Sequence, residues 1–145
     1  MKTTRLIRVN IVFAIFFCTV FILMFSSCKE LYPITKTAEG YTFEIDENQN
    51  ATLIKTDILA ETIEIPSEIS SYKVKKLSCV EEAALVGVSL TGVFEGNNVV
   101  KEIIIPEGVV ETYGPAIANC YNLEKITIPG TMTTFDVVRC DNLKE

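Results

Sequence analysis

The chain contains no histidine and no tryptophan among its 145 residues. Without an imidazole, the Ser-His-Asp and Cys-His arrangements lack their general base. The same absence removes the commonest ligand of transition-metal sites. Without tryptophan, a sugar-stacking cleft would have to rely on Tyr and Phe alone, which argues against a lectin or glycosidase. Bases are also short, with 13 Lys+Arg against 19 Asp+Glu and a net charge of −6. Nucleic-acid affinity depends on matching phosphates with cations, so nucleic acid is excluded as a partner. No cofactor and no metal is expected, and a non-enzymatic protein is the reading these absences favour.

Long apolar runs are confined to one place. Lys2, Arg5 and Arg8 precede an apolar stretch from Ile11 to Phe25 that only Thr19 interrupts, and Ser26, Ser27 and Cys28 close it. A basic start, an apolar centre and small residues at a cleavage point make a secretory signal. The apolar stretch is 15 residues long, short of the roughly 20 that a spanning helix needs. Its ending resembles the lipobox of bacterial lipoproteins, with Phe25 where Leu, Val or Ile is preferred. The resemblance implies a signal peptide over 1–27, lipidation of Cys28 and a tether over 28–40. It places the protein in the bacterial cell envelope, on the outer membrane or cell surface, held to the membrane by its lipid anchor. An uncleaved anchor over Val9 to Ser27 and plain secretion are the alternatives. Residues 28–145 carry ten bases and nineteen acids, a net −9, which disfavours polybasic docking on anionic lipid. With Cys18 in the signal and Cys28 acylated, Cys79, Cys120 and Cys140 remain, an odd number for an exported protein.

The tether, residues 29–40, has little periodicity. Beyond it, Tyr41, Phe43 and Ile45 alternate with Thr42 and Glu44, the pattern of a half-buried strand. The polar run Asp46 to Asn50 and then Ala51 to Lys55 complete a hairpin. The rest of the chain repeats. Ile-x-Ile-Pro occurs as Ile63 to Pro66, Ile103 to Pro106 and Ile126 to Pro129, with prolines 40 and 23 residues apart. The second spacing falls in the roughly 20–29 residue period of leucine-rich repeats. Residues 97–106 align without gaps on 120–129, and 140–145 start a further copy. In each copy the two outer Ile residues share one side of a strand. Val100, Ile103 and Ile105 should therefore stack on Leu123, Ile126 and Ile128.

From Ile103 to Pro129 the chain resembles the bacterial surface-antigen (BspA-like) class of leucine-rich repeats. Val109, Ala116, Cys120, Leu123, Ile126 and Ile128 fall on that family's positions, with Ile117 replacing its Phe and Thr112-Tyr113 departing from its Ile-Gly step. The resemblance covers residues 41–145. It implies a β-rich solenoid, a leucine-rich-repeat-like right-handed parallel coil opened by an N-terminal β-hairpin cap. It also implies a cell-surface binding or adhesion module with a protein or extracellular-matrix ligand. The last repeat is incomplete and has no polar closing cap, so the chain is expected to be a fragment or a shortened product. The alternative role is a structural or accessory envelope lipoprotein that assembles through the uncapped end.

Between Leu77 and Phe94 the chain is about 12 residues longer than the family spacing. Such insertions leave one face of a solenoid and often carry binding. Glu81, Glu82, Leu85, Val88 and Leu90 are the candidate recognition residues, with a short helical turn expected over Glu81 to Val86. Asp46-x-Asn48-x-Asn50 imitates the start of a calcium loop, but Ala51 stands where that loop demands Gly, and strands flank it. A polar hairpin loop fits better. Cys120 and Cys140 could pair or ligate, though a buried cysteine behaves as a small hydrophobe; Cys79 is the thiol to watch for reactivity. Glu81 with Glu82, and Glu61 with Glu64, supply carboxylates with no sign of convergence across a cleft.

Overall fold

The computed structural model describes residues 32–84 and 87–144, with side chains described outside 82–88. The signal segment, the lipid site Cys28 and the candidate Leu85 lie outside the described residues. In chain order the strands are β1 (Ile34–Ala38), β2 (Tyr41–Ile45), β3 (Asn50–Thr56), β4 (Thr62–Glu64), β5 (Glu68–Ile69) and β6 (Tyr72–Ala84). They continue with β7 (Gly87–Gly92), β8 (Glu102–Ile104), β9 (Glu111–Tyr113), β10 (Ile117–Ala118), β11 (Lys125–Thr127) and β12 (Val137–Val138).

The three Ile-x-Ile-Pro segments are the three strands of one parallel ladder. β4 pairs with β8 and β8 with β11, so that Ile63, Ile103 and Ile126 lie in register. Alternation turns Ile63, Ile65, Ile103 and Ile105 inward, where all four are buried. Each strand is followed by its proline, which has no donor to offer a ladder. Val100 and Leu123 are fully buried one step before their strands. Ile128 departs from the expected stack. It is 46% exposed against 2% for its counterpart Ile105, because β11 is the edge of its ladder and among the described residues no further strand stacks on it.

A second parallel ladder joins β3 to β6 and β6 to β9, and a bridge from Glu111 to Thr134 extends it into the last repeat. A third runs through Phe94, β10 and β12. The chain therefore visits three ladders in turn and returns to the first one repeat later. Side chains also cross between repeats. Asn122 and Asn142 donate to the carbonyls of Asn98 and Tyr121, each at 2.6 Å. Thr131 and Thr133 donate to Val109 and Val110 at 2.8 and 2.9 Å.

At the N-terminal side, β2 and β3 form the expected antiparallel hairpin, with Tyr41, Phe43 and Ile45 buried. Its loop is one residue shorter than the polar run, since Asn50 already pairs. The tether reading fails in part, because Ile34–Ala38 pairs with β2 along its whole length. Glu39 (φ 56°) and Gly40 (φ 80°) make the two-residue turn between them, a conformation that matches the twist of a hairpin.

The 40-residue first repeat is the 23-residue one plus two additions. Leu77 to Phe94 spans 17 positions where Thr112 to Ile117 spans 5, so 12 are extra. Five more separate Thr62 to Lys76, 14 positions, from Glu102 to Glu111, 9 positions. These form the β5–β6 turn at Ser70 and Ser71, both at positive φ.

Ile103→Ala in the middle of the first ladder should cost about 2–5 kcal/mol in urea unfolding. Ile128→Ala should cost under about 1 kcal/mol, as an exposed position does. Equal losses would contradict the ladder assignment.

Candidate recognition arm

The twelve additional residues form a β-hairpin rather than the expected helical turn. Past Ser78, its last residue paired with β9, β6 runs on to Ala84 and pairs antiparallel with β7, from Cys79↔Gly92 to Ala84↔Gly87. Only residues 85 and 86 separate the two strands, a hairpin spacing. Glu81-Glu82-Ala83-Ala84 favours helix intrinsically, but cross-strand pairing overrides so weak a preference.

The base of this arm is fixed by close approach. A Cβ on Gly92 would crowd the carbonyl oxygens of Pro115 and Ala116, the latter at 2.7 Å. One on Gly114 would lie 2.5 Å from Cys79 Sγ. Thr56 N–H donates to Val93 and Phe94 N–H to Ala116, at 3.1 Å each, so the chain regains the third ladder at once.

Of the candidate residues, Glu81 and Leu90 lie directly opposite each other, and both are exposed. Glu82 pairs with Ser89, and Val88 with Ala83. The structure thus gathers four of the five candidates on one hairpin. Sequence reasoning missed Ser89, exposed on β7, and Tyr113, which pairs with Ser78 at the root of the arm and is 66% exposed. The alternation of Val88 and Leu90 with Ser89 and Thr91 between two glycines was the signal for β7.

The other candidates are absorbed by the scaffold. Asp46 Oδ1 accepts from the backbone of Asn48 and Asn50 at 2.8 and 2.9 Å, and Oδ2 accepts from the Asn50 side chain at 3.0 Å. Burial opposes its ionisation, but the hydrogen bonds from Asn50 and Asn48 and the charge of Lys76 outweigh that and hold the carboxyl below its usual value. The carboxylate closes its own loop. Glu61 meets Lys101 at 2.8 Å and Glu124 meets Lys144 at 3.0 Å, a column of alternating charge along one corner. Among the described residues no group of three or more His, Cys, Asp or Glu could hold a metal ion.

Cys120 is fully buried, with its thiol 2.8 Å from the Phe94 carbonyl oxygen. Burial, reinforced by the neighbouring Cys140, pushes its pKa up to about 12. Cys140 is half-buried and is also raised, chiefly by burial. Cys79, Cys120 and Cys140 are all free thiols.

Successive repeats that contribute one strand to each of three ladders define an architecture found in solved structures. The chain has the fold of bacterial leucine-rich repeat proteins. Over 76% of its length it is similar to the leucine-rich repeat protein of T. pallidum, at 14% identity and a TM-score of 0.59. A leucine-rich cell surface protein of Faecalibacterium prausnitzii matches 74% of the chain at 22% identity and a TM-score of 0.53. A leucine-rich repeat protein from Bacteroides capillosus matches 64% at 22% identity and a TM-score of 0.50. The chain spans 48%, 32% and 64% of those three proteins respectively. No family model matches the sequence, and no curated protein does. Within this leucine-rich-repeat frame, the arm interrupts the step from the second ladder to the third.

Two measurements check this account. Gly92→Ala should destabilise the chain by roughly 2–4 kcal/mol, since backbone carbonyls must move to admit the Cβ. Cys120 should resist iodoacetamide at pH 8 until the chain unfolds, as followed by mass spectrometry. Its raised pKa means the folded state keeps a proton that the unfolded state releases. That stabilisation is complete below pH 9 and is lost as pH rises towards 12, and Cys120→Ala should flatten this fall.

Proposed function

We propose that the chain is a lipid-anchored, non-enzymatic binding module displayed on a bacterial cell surface, with protein or matrix ligands. In this reading the stacked repeats are a right-handed solenoid, the β2–β3 hairpin is its N-terminal cap and Cys28 carries the anchor. The observation behind it is the arm, a paired hairpin that leaves the ladders at Ser78 and rejoins them at Val93. An insertion that the scaffold accommodates without breaking register is a place where recognition can be added. The repeat fold, with its extended surface, suits a binding role. The likeness to a cell surface protein supports the location, and the lipobox-like Ser26-Ser27-Cys28 supports the anchor.

A second reading, assembly through the last repeat, is favoured by the exposure of Ile128 and Val138 there. Concentration-dependent association abolished by Ile128→Lys would select it.

The test of the first reading joins fatty-acid labelling to protease treatment of intact cells. Labelling should disappear in Cys28→Ala, and the wild-type domain should be cleaved from outside. A labelled but protected domain would place the protein inside the envelope, and an unlabelled wild type would remove the anchor. In parallel, residues 79–92 can be replaced by two residues, as Gly114 and Pro115 bridge the next repeat. The fold should survive, and binding to a panel of immobilised matrix proteins should be lost.

A further inference from the structure

We propose that β7 is a strand-addition site, whose free edge takes an extended polypeptide segment that alternates apolar with polar positions and carries basic residues. The inference rests on reading the arm as the recognition element.

Unpaired strand edges invite other chains, and proteins blunt them with short strands, charge or proline. The other edges here are blunted. β1 carries Lys36 at its centre, with its ammonium 2.8 Å from the Tyr72 hydroxyl and 4.7 Å from that ring's centroid. β4 and β11 are three residues long, and β5 and β12 are two. β7 differs on every count. It is six residues long and reads Gly-Val-Ser-Leu-Thr-Gly, without charge or proline. It pairs with β6 along one side, and among the described residues no other strand pairs with it. Leu90 is 44% exposed on that strand.

Such an edge recognises backbone first, since ladder hydrogen bonds hold the guest and alternate side chains select it. A guest strand would lie about 4.8 Å from β7, with every second side chain on the face of Leu90. Glu81, directly opposite Leu90, lies one strand further on, within reach of a lysine or arginine on the guest. Residues 79–92 hold two acids and no base. Charge also decides between guests. A second copy would bring the same two glutamates and a chain of net −6, whereas a basic segment meets the opposite sign.

The experiment uses the full chain in detergent micelles and a blocked octapeptide alternating valine with lysine and threonine. Its counterpart carries glutamate in place of lysine. Hydrogen exchange of the amides at 87–92 is the readout. The lysine peptide should slow that exchange, and Leu90→Lys, which gives β7 the guard that β1 has, should weaken binding at least about tenfold while leaving unfolding unchanged. Unchanged exchange at millimolar lysine peptide would overturn strand addition. Equal protection by the glutamate peptide would overturn the basic guest. Protection that grows with protein concentration, without peptide, would make a second copy the occupant. The underlying reading fails separately, if the chain with residues 79–92 replaced binds matrix proteins as well as wild type does.

Discussion

A single repeat of this chain cannot bury its own apolar face, and everything else in the structure depends on stacking successive repeats in register. Ile63, Ile103 and Ile126 set that register through the first ladder. Each fully buried aliphatic contributes on the order of 1.5–3 kcal/mol, whereas an exposed ion pair contributes about 0–1 kcal/mol. Packing therefore supplies the stability. The column from Glu61 through Lys101 and Glu124 to Lys144 has a different use. A repeat displaced along it would set like charges side by side, so the column favours one stacking order. The asparagine and threonine side chains that donate to the preceding repeat add direction to the same register.

What was legible in the sequence follows from that constraint. Ile-x-Ile-Pro combines a period of two with a residue that cannot continue a ladder, so strand, face and end could all be read from it. Val100 and Leu123 followed from the gap-free alignment. Ile128 was misjudged because a repeat pattern specifies which face a residue shares and leaves open whether a further repeat covers it. β1 was missed because Thr35, Lys36 and Thr37 are exposed. The strand is held by backbone pairing to β2, which leaves no apolar alternation to detect. The Ser70-Ser71 turn hides for a related reason, since two non-glycine residues at positive φ carry no compositional signal.

The extra length of the arm between Leu77 and Phe94 is legible from spacing, whereas its local structure is a hairpin in place of the helical turn that composition suggests. Its length was readable because ladder positions on both sides, Leu77 and Phe94, have counterparts in Thr112 and Ile117. Its conformation was not, because Glu-Glu-Ala-Ala states a local helical preference while pairing with β7 is a contact across the turn. The scaffold tolerates it because Thr56, Val93, Phe94 and Ala116 re-form the ladder immediately beyond Gly92. Closing a longer loop costs little once its ends are fixed.

The same separation of scaffold from arm bears on function. Among the described residues, the titratable groups that depart from ordinary behaviour belong to the scaffold: Tyr41, Cys120 and Cys140 in and beside the core, Asp46 in its own loop, and Lys101 and Glu124 in the charge column. Each shift has a structural cause within the fold: burial for the thiols and Tyr41, hydrogen bonds and ion pairs for the rest. Recognition through a strand edge needs no perturbed group at all, only free backbone donors and acceptors held in line. A function of that kind leaves no catalytic motif in the sequence. It is compatible with a chain that has neither histidine nor tryptophan, because its chemistry lies in the peptide groups that every residue carries.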